Sequence, residues 1–187
     1  MTRLIHLNGP PGIGKSTLAR RYVAEHPQAL NCDIDLLRTL IGGWERDFDR
    51  AGALIRPAAL AMIEAYLRAG HDVVLPQLLG RLSELERFEA AAQAAGAAFV
   101  EVVLVDGADD EVGRFHRRGL VDPEPWHDQV RALVASAGGD EALLSVRAAL
   151  DRVIEQRPGA QVISSTEGRI DETYRMLVVA LQETNAR

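Results

Sequence analysis

The segment Gly9-Pro-Pro-Gly-Ile-Gly-Lys15-Ser16 fits the phosphate-binding pattern Gly-x-x-x-x-Gly-Lys-Ser/Thr. Its setting is the one that pattern needs. Arg3-Leu-Ile-His-Leu-Asn8 reads as a short buried strand, and residues 16–25 read as a helix with Leu18, Tyr22 and Val23 toward one face. A strand, a glycine-rich loop and a helix in that order aim backbone N–H groups and the positive end of a helix dipole at an anion. Of the 21 lysine and arginine residues in the chain, Lys15 alone is a lysine. A slim ammonium can enter between the β- and γ-phosphates, where a planar guanidinium fits badly. The residues expected to hold a nucleoside triphosphate are Gly9, Gly12, Ile13, Gly14, Lys15, Ser16 and Thr17, with the Ser16 hydroxyl directed at Mg²⁺.

The chain has 187 residues, 47% hydrophobic and 26% charged, and is expected to form one domain over 1–187. No apolar run reaches the length of a membrane span, and the N-terminus lacks a signal-peptide pattern. Cys32 is the single cysteine, which excludes an internal disulfide and suits a reducing cytoplasm. A net charge of −6 argues against a long nucleic-acid groove. Strands are predicted at 4–7, 29–32, 72–75, 99–105 and 161–163. Helices are predicted at 16–25, 36–40, 53–69, 83–95, 110–118, 140–156 and 171–183. Apolar strands alternating with helices imply an α/β fold, a five-stranded parallel sheet with helices on both faces. Ligands in such sheets bind beyond the carboxyl ends of the strands.

Asp33-Ile-Asp35-Leu-Leu-Arg38 follows the second predicted strand. If strand geometry persists there, residues two apart point to the same side and both carboxylates face the site. Transfer of a phosphoryl group to a hydroxyl needs a metal-linked carboxylate and a group that orients the hydroxyl proton. An alternative reading of Asp35 is a cap for a helix starting at Leu36, and of Asp33 simple solvent exposure.

The phosphate loop followed by Asp33-x-Asp35 resembles small P-loop kinases of the shikimate kinase, gluconate kinase, chloramphenicol phosphotransferase and zeta-toxin group. The segment from Asp33 to Arg38 is especially similar to the zeta-toxin one. The resemblance implies a P-loop NTPase-like three-layer fold with a lid, and an ATP- and Mg²⁺-dependent kinase. It implies Asp35 as the group that orients or deprotonates the acceptor hydroxyl, Asp33 near magnesium, and Arg38 on the acceptor. One departure stands out. Many such proteins end the third strand with an aspartate that supports magnesium. Here Gln77 occupies that end, while Asp72 lies at the start of the strand.

Arg114, Arg117 and Arg118 cluster at helical spacing before a stretch with two prolines, and residues 114–130 read as a lid. The resemblance implies that lid arginines, Arg118 and Arg114 first, close over the phosphates. The alternative is a solvated basic helix end. His116 and His127 have no paired carboxylate or metal spacing and read as surface or packing residues. Gln77, Arg81 and Trp44 are further candidates for the acceptor side, with the bland alternatives of a surface arginine and a loop anchor. The leading expectation is a kinase of a small hydroxylated molecule. A non-catalytic, nucleotide-dependent ligand-binding or regulatory protein is the alternative, favoured by the missing acid after the third strand. A kinase of nucleic-acid ends fits the acidic charge poorly.

Overall fold

The computed structural model describes residues 1–118, 120 and 123–185. Among these, five strands and eight helices follow one another as β1 (Arg3–Asn8), α1 (Lys15–Glu25), β2 (Leu30–Asn31), α2 (Ile34–Arg38), α3 (Phe48–Arg68), β3 (Val73–Pro76), α4 (Leu82–Ala94), β4 (Ala98–Val105), α5 (Ala108–Arg117), α6 (His127–Ser136), α7 (Asp140–Gln156), β5 (Gln161–Ser164) and α8 (Ile170–Asn185). The strands form one sheet in the order β2-β3-β1-β4-β5, with every pairing parallel.

Alternation along the strands divides the core into two layers. Leu4 of β1 and Val73 and Leu75 of β3 face α3 and α4, where Ala59, Ile63, Leu67, Leu85 and Phe88 are buried. Ile5 and Leu7 of β1 and Val100, Val102 and Leu104 of β4 face α1 and α8, meeting Leu18, Tyr22, Tyr174 and Leu177. The fold is therefore the P-loop three-layer arrangement, with β1 at the centre of the sheet and its carboxyl end opening onto the phosphate loop. Asp72 lies at the opposite end of the sheet, where it takes hydrogen bonds from Arg3.

Several elements differ from the sequence reading. The second strand stops at Asn31 and α2 begins at Ile34, so Asp35 sits in the first turn of a helix rather than along a strand. It is Asp33, not Asp35, that caps α2, accepting hydrogen bonds from the N–H groups of Asp35 and Leu36. Helix α3 starts five residues early because Asp47 caps it through the Arg50 N–H at 3.0 Å. Helix α6 has no counterpart among the predicted helices. It occupies the end of the predicted lid, of which residues 119, 121 and 122 lie outside the described residues.

A third apolar cluster is small: Trp44, Ala51 and Trp126, joined by Ile41, Phe48 and Val130. It ties α6 to the segment that joins α2 to α3.

Candidate active site

Two glycines of the phosphate loop are fixed by geometry. Gly9 has φ +140°, and a Cβ there would lie 2.6 Å from the Leu104 carbonyl oxygen. Gly14 has φ +107° and caps α1 without any side-chain hydrogen bond. The first turn of α1 also lacks an acidic residue, so its N–H groups and dipole are left for an external anion. Two anchors hold the loop from outside. The Asn8 side chain accepts from the Gly9 and Leu79 N–H groups at 2.9 and 3.0 Å and donates to the Leu79 carbonyl at 3.1 Å, joining the loop to the segment after β3. The Ile13 carbonyl accepts from Arg114 at 2.9 Å and from the Ser165 hydroxyl at 2.8 Å.

The Lys15 ammonium is buried and donates to the Gly9 and Pro10 carbonyls at 2.8 and 2.9 Å. Burial, with Arg118 beside it, lowers its pKa to about 7, while Asp35 and Asp33 act in the opposite sense. Asp33 is buried, and its carboxyl is pushed up by burial and by Asp35, against a hydrogen bond from Ser16 and those from the cap N–H groups. The Arg118 guanidinium is lowered by burial and supported by Asp35 and Asp33.

Lys15 and Arg118 border a cleft of about 450 Å³ at the carboxyl ends of β1 and β3, and Asp33 lies behind Ser16 of its wall. Gly12, Gly14, Lys15, Ser16 and Thr17 form one wall. Asp35, Arg38, Phe48 and Asp49 form another, with Arg56 of α3. Pro76 and Gln77 close it from the end of β3, and Arg118, Glu124, Trp126 and His127 from the α5–α6 side. Arg20 of α1 pairs with Glu124 across its edge. Asp35 contacts Arg38 at 3.4 Å, and the Arg38 guanidinium carbon stacks 3.6 Å from the centre of the Phe48 ring. His127 accepts from the Glu124 N–H through Nδ1 at 3.1 Å. The Gln77 carbonyl faces Nε2 of the buried His6 at 2.8 Å, while its side-chain oxygen is buried without a partner.

Six sequence candidates do not line the cleft: Gly9 and Asp33, which reach it only through their neighbours in the loop and Ser16, and Arg114, Arg81, Trp44 and Ile13. Arg114 does not border the cleft. Its guanidinium is used by Asp106 at 3.0 Å, the Ser165 carbonyl and the Ile13 carbonyl, so it braces the phosphate loop from behind. Arg81 is 74% exposed and pairs with Glu84 at 2.8 Å, because it precedes α4 on the outer side of its turn. Trp44 is buried against Trp126 and Ala51, a loop anchor rather than a wall of the cleft. The Ile13 side chain is buried in the core, leaving only its backbone toward the loop. The sequence reading singled out none of Arg20, Asp49, Arg56 and Glu124, and it read His127, which borders the cleft, as a surface or packing residue. No local pattern marks these residues; they come from separate elements and meet only when the sheet is assembled.

The same architecture occurs in solved structures. A protein from Chloroflexus aurantiacus J-10-fl that carries a provisional kinase assignment superposes with a TM-score of 0.66 at 16% identity, over 97% of each chain. A gluconokinase from Sinorhizobium meliloti 1021 superposes with a TM-score of 0.64 at 17% identity, over 97% of this chain and 92% of that one. The fold and its phosphate loop thus define a P-loop protein with the architecture of small-molecule kinases. The AAA domain family model matches residues 4–132, and the chain belongs to that family. No curated protein matches the sequence. Among the described residues no helix is long and apolar enough to cross a membrane.

Proposed function

We propose that this chain is a kinase that transfers the γ-phosphoryl group of ATP to a hydroxyl of a small molecule. The observation that supports this reading best is the convergence of Lys15, Asp35 and Arg118 on one cleft at the carboxyl ends of the strands. The phosphate loop and α1 bind the polyphosphate, and Lys15 exchanges its two carbonyl partners for phosphate oxygens. Asp35 orients the acceptor hydroxyl and takes its proton. The acceptor oxygen forms its bond to the γ-phosphorus as the bond to the bridging oxygen breaks, and that electron pair leaves on ADP. Arg118 neutralises charge on the moving group. Arg114 holds the loop in shape, a positioning residue.

Among the described residues no three His, Cys, Asp or Glu side chains are grouped to hold a metal. Magnesium in such sites keeps most of its waters and takes one or two protein oxygens. The hydrogen-bonded Ser16 and Asp33 pair fits that demand and would hold the ion. When bound, Mg²⁺ supplies charge neutralisation at the β- and γ-phosphates.

Transfer from γ-labelled ATP to pooled sugars, nucleosides and antibiotics tests the reading. The wild type is expected to label at least one compound, and Asp35→Asn to do so about 100-fold more slowly or worse. Equal labelling by Asp35→Asn contradicts the role of Asp35. Tight nucleotide binding with no transfer to any acceptor supports the second reading, a non-catalytic nucleotide-dependent binding protein. That reading is favoured by Gln77, an uncharged residue at the end of β3.

A further inference from the structure

The face of β1 that turns toward α3 and α4 begins apolar at Leu4 and becomes polar at His6 and Asn8. Neither polar residue has any exposed surface. Buried polar side chains in the middle of a sheet are unfavourable unless they find partners. Both find them in the same short segment after β3. His6 donates through Nε2 to the Gln77 carbonyl at 2.8 Å. Asn8 donates to the Leu79 carbonyl at 3.1 Å and accepts from the Leu79 N–H at 3.0 Å. Gln77 and Leu78, which border the cleft, are thus held from below at both ends.

Asn8 reaches further than His6. The Oδ1 atom that receives the Leu79 N–H also receives the Gly9 N–H at 2.9 Å, where the phosphate loop begins. One oxygen therefore joins two separate parts of the cleft, the loop that leads to Lys15 and the wall that contains Gln77. The amide is also fixed in orientation. Oδ1 faces two N–H donors, while Nδ2 faces the Leu79 carbonyl and stands beside the Glu101 carboxylate, whose charge it supports. Turned over, every one of these contacts would set like against like. Glu101 lies on β4 opposite His6 in register, with its side chain only 3% exposed, and Arg157 holds it through Nε at 3.0 Å. Gly9 has a second contact on its other side. Its carbonyl accepts from Lys15 at 2.8 Å, and that bond is given up when a phosphate oxygen takes the ammonium.

We propose that Asn8 is a positioning residue that couples the two sides of the cleft: filling the phosphate loop shifts the Gly9 peptide, and the shared oxygen passes that shift to Leu79 and so to the wall at Gln77 and Leu78. The coupling rests on the reading that the loop holds a polyphosphate; the shared anchor itself does not. Two donors on one oxygen are linked, because a shift of either changes the charge and room left to the other. The link is a continuous chain of hydrogen bonds from Lys15 through Gly9 and Asn8 to Leu79. Asn8 touches no reacting atom and acts only through the backbone it holds.

The test follows two backbone amides in the whole chain. Mg²⁺ with a non-hydrolysable ATP analogue is titrated into the ¹⁵N-labelled protein. The Leu79 amide resonance is expected to move together with that of Gly9, and both to saturate at the same concentration. In Asn8→Ser, whose hydroxyl is too short to serve both amides, the Leu79 shift is expected to be lost while the Gly9 shift remains. Hydrogen exchange without nucleotide is the second measurement. Both amides are expected to exchange at least about tenfold faster in Asn8→Ser than in the wild type. A Leu79 resonance that stays still while Gly9 moves overturns the proposal, and that result needs no variant. A Leu79 shift that persists in a folded Asn8→Ser overturns it as well. Faster exchange at both amides in the variant, with no response of the wild type to the analogue, leaves the shared anchor standing and contradicts the phosphate-loop reading instead.

Discussion

His6 shows how one buried side chain couples the core to the cleft. It lies on β1 with no exposed surface, and its Nε2 faces the Gln77 carbonyl at 2.8 Å. Burial lowers its pKa from 6.5 to about 4, against the pull of that hydrogen bond. The neutral ring is therefore the folded form, with Nε2 donating. Between pH 6.5 and about 4 the unfolded chain binds the proton that the folded chain refuses. Stability is thus lost as pH falls through that window, by about 3 kcal/mol for this group alone. Urea midpoints measured from pH 7 to pH 4 are expected to fall more steeply in the wild type than in His6→Leu. Parallel curves would contradict the account. The sequence showed nothing of this residue, because a histidine in an apolar strand has no pattern that announces its partner just beyond the end of β3.

At the scale of elements, the turn from β1 into α1 carries the most constraint. The Gly9 Cβ position meets backbone, the Leu104 carbonyl of β4, which cannot swing away as a side chain would. Gly9→Ala is accordingly expected to destabilise the protein by about 2 kcal/mol or more, read from chemical denaturation. A change within about 0.5 kcal/mol would mean that the loop is held less rigidly than described. This element was legible in the sequence because its signal is local: glycines, one lysine and a hydroxyl within eight residues, between an apolar strand and a periodic helix. The Asp33 and Asp35 pair was legible as chemistry but not as geometry. Strand alternation was the wrong frame once β2 ended at Asn31, and Asp33 became the cap. Helix α6 was hidden behind two prolines, whose disorderly look ends at Trp126, where burial against Trp44 makes a helix worth forming.

For the whole molecule, the parallel, doubly covered sheet followed from the order of apolar and amphipathic segments. The strand order did not, since no residue in β1 states that β3 and β4 will be its neighbours. The cleft inherits that blindness. Lys15, Asp35 and Arg118 were visible as motif members, whereas Arg20, Arg56 and Glu124 reach it from α1, α3 and the segment before α6 only through the assembled fold. Arg114 and Arg118, four residues apart, illustrate the limit. One braces the phosphate loop from outside and the other faces the cleft, a difference set by tertiary placement alone. The central claim is that the loop from Gly9 to Ser16 is a cradle for a polyphosphate, with Lys15 as its cation. Calorimetric titration of Mg·ATP into the wild type and Lys15→Ala tests it most directly. The account predicts saturable binding to the wild type and a loss of about tenfold to 100-fold in affinity for a folded Lys15→Ala. Equal affinity in the two proteins would contradict it.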